Sequence, residues 1–318
     1  MDKTDRFYDA SSLLPPFENV LRTVPARIAE RACEIRLRSG RPVIVETPSE
    51  RHICVGKTSS ADELRACIKY FCDYSLYSAE RELAEGRMTL KGGHRAGFTG
   101  TAVIKGGEVT AIKDISSINL RIAAEHKGIA EKLMSLTAFE RDLNGLLILG
   151  PPLSAKTTLL RDYARLLSAF ARTSVIDENG EIAAVYKGTA QNDLGMNCDV
   201  LDMFPKTEGI MRAVRFMSPE YLICDEVGGE YQQLAECAGK GVKLILSAHC
   251  GSMAEAARNR AVCALIDSGA VNYCALLGSG ENIGKVKGLW RVDKSEDIGG
   301  CGSGNDLYGC RSRILVGA

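Results

Sequence analysis

LLILGPPLSAKTTLLRD, residues 146–162, decides how the rest of this chain is read. An apolar run ends at Gly150, and Lys156-Thr157 opens a stretch of helical spacing. A buried strand, a short loop and a helix beginning on Lys-Thr is the context that a phosphate-binding loop requires. That pattern has glycine directly before the lysine, whereas this chain has Ala155. In such a loop the main-chain N–H groups, here those of residues 152–158, converge on a phosphate at a helix N-terminus. Lys156 would reach the β and γ oxygens and the Thr157 hydroxyl would sit on Mg²⁺. The expected ligands are therefore ATP and Mg²⁺. The plainer alternative is an ordinary strand–loop–helix with an exposed lysine, and the strand-then-helix context weighs against it.

Three later runs carry the same rhythm. YLICDE, residues 221–226, is an apolar strand closed by Asp225 and Glu226. This is the form of a strand bearing a magnesium-ordering acid, Asp225, and a water-activating acid, Glu226. Buried strands often end in Asp, so the run gains weight from its joint occurrence with the loop. KLILSAH, residues 243–249, ends a further strand at His249. A lone histidine is more often structural, but one at the end of a parallel strand faces the same crevice and can sense a γ-phosphate by hydrogen bond. SVIDENGE, residues 174–181, offers Asp177, Glu178 and Glu181, of which one is expected at the site.

From 145 onward short apolar runs alternate with helical patterns at 207–217, 230–239 and 253–268, an α/β arrangement with a mostly parallel sheet. Before it the texture differs. EIRLRSGRPVIVE reads as a hairpin turning at Ser39-Gly40, and RHICVG as a third strand. SADELRACIKYFC starts with a Ser-x-x-Glu capping box and is helical. A second helix is expected over 76–85, and Gly106-Gly107 marks another hairpin turn. The organisation expected is an N-terminal α+β domain over 1–138 with its end, 128–138, as linker. A nucleotide-binding α/β domain follows over 139–298, and 299–318 form a Gly-rich flexible tail.

Composition fits a soluble globular chain: 318 residues, 40 basic and 40 acidic, for zero formal net charge. No global basic field points to nucleic acid, and 6% aromatic residues argue the same way. The 12 cysteines are scattered without a C-x-x-C pair and read as reduced thiols acting as small hydrophobes rather than as a zinc site. The N-terminus lacks the pattern of a signal peptide, and no apolar run approaches the ~20 residues that span a bilayer.

Taken in order, EIRLRSGRPV, GGHRAGFTGTAV, ISSINLRIA, the GPP…KTTLLRD loop, QNDLGMNCDVLD, MSPE…DEVG and GVKLILSAH resemble the stage III sporulation protein AA family, relatives of the secretion ATPases. The resemblance covers nearly the whole chain. It implies a RecA-like P-loop NTPase core behind a smaller N-terminal α+β domain, assembled as a homo-oligomer, usually a hexameric ring. It further implies a cytoplasmic, peripheral position at the mother-cell side of a membrane, serving membrane-embedded proteins of a channel to the forespore. The acidic and His boxes of secretion ATPases would fall on Asp177 to Glu181 and on His249. Arg121, in INLRIA, looks like the N-domain arginine those ATPases point at nucleotide. Arg215 and Arg212, in MRAVRF, are further candidates for transition-state cations, with a salt-bridged surface helix as the plainer reading; Arg95 reads more readily as structural.

The family loop runs close to G-P-P-G-V-G-K-T-T. Here it is Gly150, Pro151, Pro152, Leu153, Ser154, Ala155, Lys156, Thr157, Thr158. Leu153 is expected to avoid the left-handed backbone that glycine allows, since that conformation costs a bulky residue ~1–2 kcal/mol. A methyl at 155 in a packed site costs ~1–3 kcal/mol, which weakens a micromolar site without abolishing it. The reading is a working, slow ATPase. The alternatives are a structural ring component with little or no turnover, motivated by the altered loop, and a nucleic-acid motor, which the charge balance disfavours.

Overall fold

The computed structural model describes residues 3–75, 79–137, 143–292 and 312–316. Contacts divide the chain into two units: Met1–Ala124 with Ala184–Gln191, and Glu125–Ala183 with Asn192–Ala318. The second unit begins at Glu125, ahead of the pattern-based boundary at 138, because α6 (Glu131–Thr137) groups with it; residue 138 itself lies outside the described residues.

The first unit is α+β. Its helices are α1 (Lys3–Ser12), α2 (Glu18–Leu21), α3 (Ala26–Ala29), α4 (Ala61–Phe71) and α5 (Glu80–Glu85). Pro25 breaks the helical spacing of 17–30 and caps α3. The capping box of α4 is complete: the Ser60 hydroxyl accepts from Glu63 N at 3.2 Å, and the Glu63 carboxylate accepts from Ser60 N at 2.9 Å. Of the helix expected over 76–85, the part from Glu80 is present, and 76–78 lie outside the described residues.

The six strands are β1 (Glu34–Arg38), β2 (Pro42–Glu46), β3 (Arg51–Thr58), β4 (Arg87–Thr89), β5 (Arg95–Lys105) and β6 (Glu108–Arg121), in the order β3-β2-β1-β6-β5-β4. Gly106 and Gly107 turn the β5–β6 hairpin at φ 60° and 89°, as a two-residue primed turn demands. Strand alternation sends Ile35, Leu37, Phe98 and Leu120 into a core with Phe7, Phe17, Leu64 and Phe71, leaving their neighbours on the opposite face.

The second unit is built on an eight-stranded sheet. After α6 come β7 (Gly145–Gly150), α7 (Lys156–Leu167) and β8 (Thr173–Asp177). The small hairpin β9 (Val185–Tyr186) and β10 (Thr189–Ala190) then belongs to the first unit. The chain returns as β11 (Cys198–Asp202), α8 (Lys206–Arg212), β12 (Tyr221–Cys224), α9 (Tyr231–Gly239) and β13 (Lys243–His249). It closes with α10 (Met253–Ala256), α11 (Arg260–Asp267), β14 (Tyr273–Leu277), β15 (Val286–Val292) and β16 (Ser312–Val316). The order is β11-β8-β12-β13-β7-β14-β15-β16, parallel through β14 and antiparallel beyond.

Every residue of β7 is buried, as a strand covered on both faces must be. The pattern at 253–268 resolves into two helices, because Asn259 caps α11 by accepting from Ala261 N and Val262 N. That at 207–217 becomes α8 followed by a π-helical turn over Ala213–Met217. Within the stretch read as a loose tail, residues 312–316 pair with β15 as an edge strand; 293–311 and 317–318 lie outside the described residues. Among the described residues no helix is long and apolar enough to cross a membrane.

Candidate functional site

The carboxyl ends of β7, β12 and β13 are adjacent because those strands are neighbours or next neighbours in one parallel sheet. His249 stands opposite Gly150 in the register, and Asp225 follows Cys224, the last residue of β12. A crevice beyond these ends is where open α/β sheets hold ligands.

The loop between β7 and α7 keeps its curl. Leu153 has φ 62° and Ala155 φ 70°, so both occupy the left-handed region at the two positions where the family loop has glycine. The expectation that Leu153 avoids this conformation is overturned. Leu153 is 89% exposed, so its side chain adds no packing clash to the local ~1–2 kcal/mol cost of that conformation, which the fold carries as strain. A Cβ at Gly150 would crowd the Ser154 side chain, with Leu277 Cβ 3.3 Å away on another side. Gly284 N donates to Ser154 O at 3.2 Å and braces the loop from outside.

Ala155 is the N-cap of α7 and offers no side-chain acceptor. Among the described residues no side chain caps the helix, so the N–H groups of its first turn, which have no intrahelical partner, stand at the positive end of the helix. Pro152 is exposed, while Ser154 and Lys156 are buried.

A closed polar circuit joins the loop to the strand ends. Lys156 Nζ donates to Gly150 O and Pro151 O, each at 3.1 Å, and lies 2.9 Å from His249 Nδ1. His249 Nε2 is 2.6 Å from Glu226 Oε1. A lysine ammonium only donates, so Nδ1 accepts and the ring proton sits on Nε2, directed at the carboxylate. Glu226 N donates to Ser247 Oγ at 2.8 Å, and that hydroxyl in turn donates to Asp225 Oδ1. Asp225 Oδ2 accepts from Thr157 Oγ1 at 2.5 Å, returning the circuit to the residue after Lys156. Burial lowers the Lys156 pKa below its usual range, and the charges of Asp225 and Glu226 act against that shift. Glu226 itself has φ 54°, a strained backbone at the centre of the cluster.

Of the residues expected at a site, the structure thus brings together Gly150, Pro151, Lys156, Thr157, Asp225, Glu226 and His249, with Ser154 packed beneath and Thr158 in the first turn of α7. Asp177 has a different task. Its carboxylate accepts from the N–H groups of Glu181, Ile182 and Ala183 at 2.7, 3.0 and 2.8 Å and shapes the loop after β8. Glu178 Oε1 accepts from Lys206 N at 3.3 Å, and Glu181 is exposed. Arg121 lies in the first unit, exposed on β6 and 3.9 Å from Glu34. Arg215 is exposed on the π-helical turn without a side-chain partner among the described residues, and no bond joins it to the circuit. Arg212 pairs with Glu208 at 2.7 Å and stacks over Phe204, the salt-bridged surface arrangement.

Two residues at the site are not signalled by any motif in the sequence. Ser247 is wholly buried in β13 beside Asp225; a hydroxyl inside a continuous apolar strand was the available signal. Lys206, whose Nζ donates to Glu226 O, arrives from the start of α8, and nothing local to its sequence announces that contact.

A family model for sporulation stage III, protein AA matches residues 17–296. The chain belongs to the sporulation stage III protein AA family. Its similarity to the stage III sporulation protein AA of Bacillus subtilis (strain 168) is 34% identity over 294 residues, covering 90% of this chain and 95% of that one. Among solved structures, the chain is similar to the pilus retraction motor PilT with bound ADP, at TM-score 0.57 and 15% identity over 83% of this chain and 77% of that one. The ATPase DotB of Legionella pneumophila gives TM-score 0.55 and 16% identity over 83% and 76%. At such identities the likeness is one of fold: the second unit has a RecA-like α/β architecture.

Proposed function

We propose that the chain binds ATP with magnesium and hydrolyses it as one subunit of a secretion-type ring, taken as a homohexamer. The ring would act at the cytoplasmic face of the mother-cell membrane on membrane-embedded proteins of the sporulation channel. The observation that carries the ATPase reading is the closed circuit linking Lys156 and Thr157 to Asp225, Glu226 and His249. The fold shared with PilT, solved with ADP, and with the ATPase DotB supports it. Family membership supports the sporulation setting.

The residues fit this ligand. Two left-handed residues curl the loop and the uncapped first turn of α7 presents N–H donors to an anion. The Thr157 hydroxyl and the Asp225 carboxylate are the hard oxygen donors magnesium takes, and they would hold it. When bound, magnesium–ATP supplies the phosphoryl group and the metal charge that offsets it. Lys156 would exchange its carbonyl and imidazole acceptors for phosphate oxygens. Glu226 would orient water and take its proton, held in place by the His249 N–H and, through its backbone, by Ser247 and Lys206. Arg121 and Arg215 are the cations we assign to the developing charge in the assembled ring.

ATP turnover by the purified chain tests this, beside Lys156→Ala and Glu226→Gln. We expect wild-type turnover above background and a fall of about 10²–10³ on losing either group, the scale of removing one transition-state contact. One shared background rate for all three proteins overturns the enzymatic reading and leaves a structural ring component.

A further inference from the structure

The sheet of the first unit has a second face, turned away from the core, and it is rich in arginine. Cross-strand register sets Arg36, Asn119 and Gly97 in one row and Arg38, Ser117 and Thr99 in the next. Between these rows lies a cavity of about 310 Å³. Gly97 forms part of its floor, and a Cβ built there would meet nothing within 4 Å, so the missing side chain is what opens the space.

The polar groups around it are incompletely matched. Arg38 is exposed, and its guanidinium has no hydrogen bond or ion pair among the described residues. Arg36 engages Glu34 through Nε at 2.8 Å and Nη2 at 2.7 Å, which leaves Nη1 as a donor. Asn119 Oδ1 is buried and has no hydrogen-bond partner among the described residues. A buried acceptor left unsatisfied is costly, so it calls for a donor. The site therefore offers one unmatched positive charge, further N–H and hydroxyl donors, and one acceptor in need of a hydrogen.

We propose that this cavity binds a phosphodiester carrying a polyol hydroxyl, the chemistry of a glycerophosphate headgroup. The phosphate's single negative charge matches the one arginine that Glu34 does not neutralise. Its two free oxygens suit the flat fork of Arg38, with the Arg36 Nη1 and the hydroxyls of Ser117 and Thr99 as secondary donors. The polyol hydroxyl donates to Asn119 Oδ1, a role that a bare phosphate diester or a carboxylate cannot fill. A volume of about 310 Å³ is at the small end of the range for ligand sites and suits a headgroup rather than a dinucleotide. The site lies wholly within the first unit and does not depend on the ATPase reading.

The test uses the full chain. Calorimetric titration with soluble glycerophosphoglycerol asks whether the free diester binds. Co-sedimentation with phosphatidylglycerol vesicles, against phosphatidylcholine vesicles, asks whether the headgroup in a membrane does. Binding in either format is expected to survive Lys156→Ala and to weaken tenfold or more in Arg38→Ala, with Arg38→Lys between, since lysine keeps the charge and loses the fork. Asn119→Leu should weaken it similarly. Because Arg38 is exposed and unpaired, Arg38→Ala keeps the fold, and an unchanged melting temperature verifies that. Binding to vesicles alone identifies a lipid source, and binding to both identifies the headgroup itself. No saturable binding in either format overturns the proposal. So does binding indifferent to Arg38→Ala, or binding lost in Lys156→Ala, which would place the anion in the phosphate loop.

Discussion

Restoring glycine at 153 and 155 is expected to stabilise the chain. Both residues hold left-handed backbone, at φ 62° and 70°. That conformation costs an L-residue ~1–2 kcal/mol that glycine does not incur. Glycine also loosens the unfolded chain, which returns ~0.5–1 kcal/mol in the opposite direction. Leu153 is 89% exposed, so removing its side chain forfeits almost no burial. Each of Leu153→Gly and Ala155→Gly should therefore gain about 0.5–1 kcal/mol, and the pair about 1–2 kcal/mol. For a unit of this size that is a rise in melting temperature of roughly 2–8 °C. Calorimetry of the single and double variants reads the shift, and urea unfolding with an unchanged m-value shows that it comes from stability rather than from a changed denatured state. Leu153→Asn should fall between, because asparagine tolerates left-handed backbone. If Leu153→Gly instead lowers stability by the ~0.5–1 kcal/mol glycine costs at an unstrained position, the strained-loop account is wrong.

Other parts of the structure give three more expected outcomes. Ser247→Ala removes the hydroxyl shared by Glu226 N and Asp225, and should cost about 1–3 kcal/mol in urea unfolding, with Ser247→Thr largely restoring it. His94 is buried, with Nδ1 accepting from Ala123 N at 3.1 Å and Nε2 3.2 Å from Asp9. Burial lowers its pKa below 6.5 against the opposing pull of Asp9, with Arg6 adding to the lowering, so the unfolded chain takes up the proton first. The His94 contribution to stability should accordingly be flat above pH 6.5 and fall below it, by at most about 1.4 kcal/mol per pH unit, and His94→Gln should flatten that limb. At the alkaline end, burial holds the Cys67 and Cys198 thiols up to about 12, from 9.0. The unfolded chain loses those protons first. Stability should fall between pH 9 and 12, each thiol contributing a slope of up to about 1.4 kcal/mol per pH unit, and Cys67→Ala should lessen the slope whatever it does to stability at pH 7.

What the sequence disclosed was mostly local. The apolar run 145–150 followed by Lys156-Thr157 specifies strand, loop and helix within a few residues of one another. The Ser60–Glu63 capping box and the Gly106-Gly107 turn are equally short-range, and each appears where its residues placed it. Asp225, Glu226 and His249 meet because parallel strands align their ends, a consequence of topology that periodicity conveys indirectly. Long-range contacts left no such trace. Lys206 reaches Glu226 across 20 residues, and Asp177 caps a loop instead of entering the circuit because three N–H groups converge on it after the chain turns. The backbone at Leu153 follows the same rule: residue type gives the local cost of the left-handed conformation, whereas the conformation adopted depends on the whole loop, in which the exposed side chain adds no further clash.

The β9–β10 hairpin changes what can be dissected. The polypeptide passes from one unit to the other at 124/125, at 183/184 and again at 191/192. A gene fragment ending at Ala124 therefore omits a piece of its own unit, including Gln191, whose Oε1 accepts from Gly92 N at 2.8 Å. A fragment starting at Glu125 carries that same hairpin as an orphan. Separating the two halves cleanly requires excising 184–191 from one and supplying it to the other, so a failed truncation would report severed stitching rather than an inability of either half to fold.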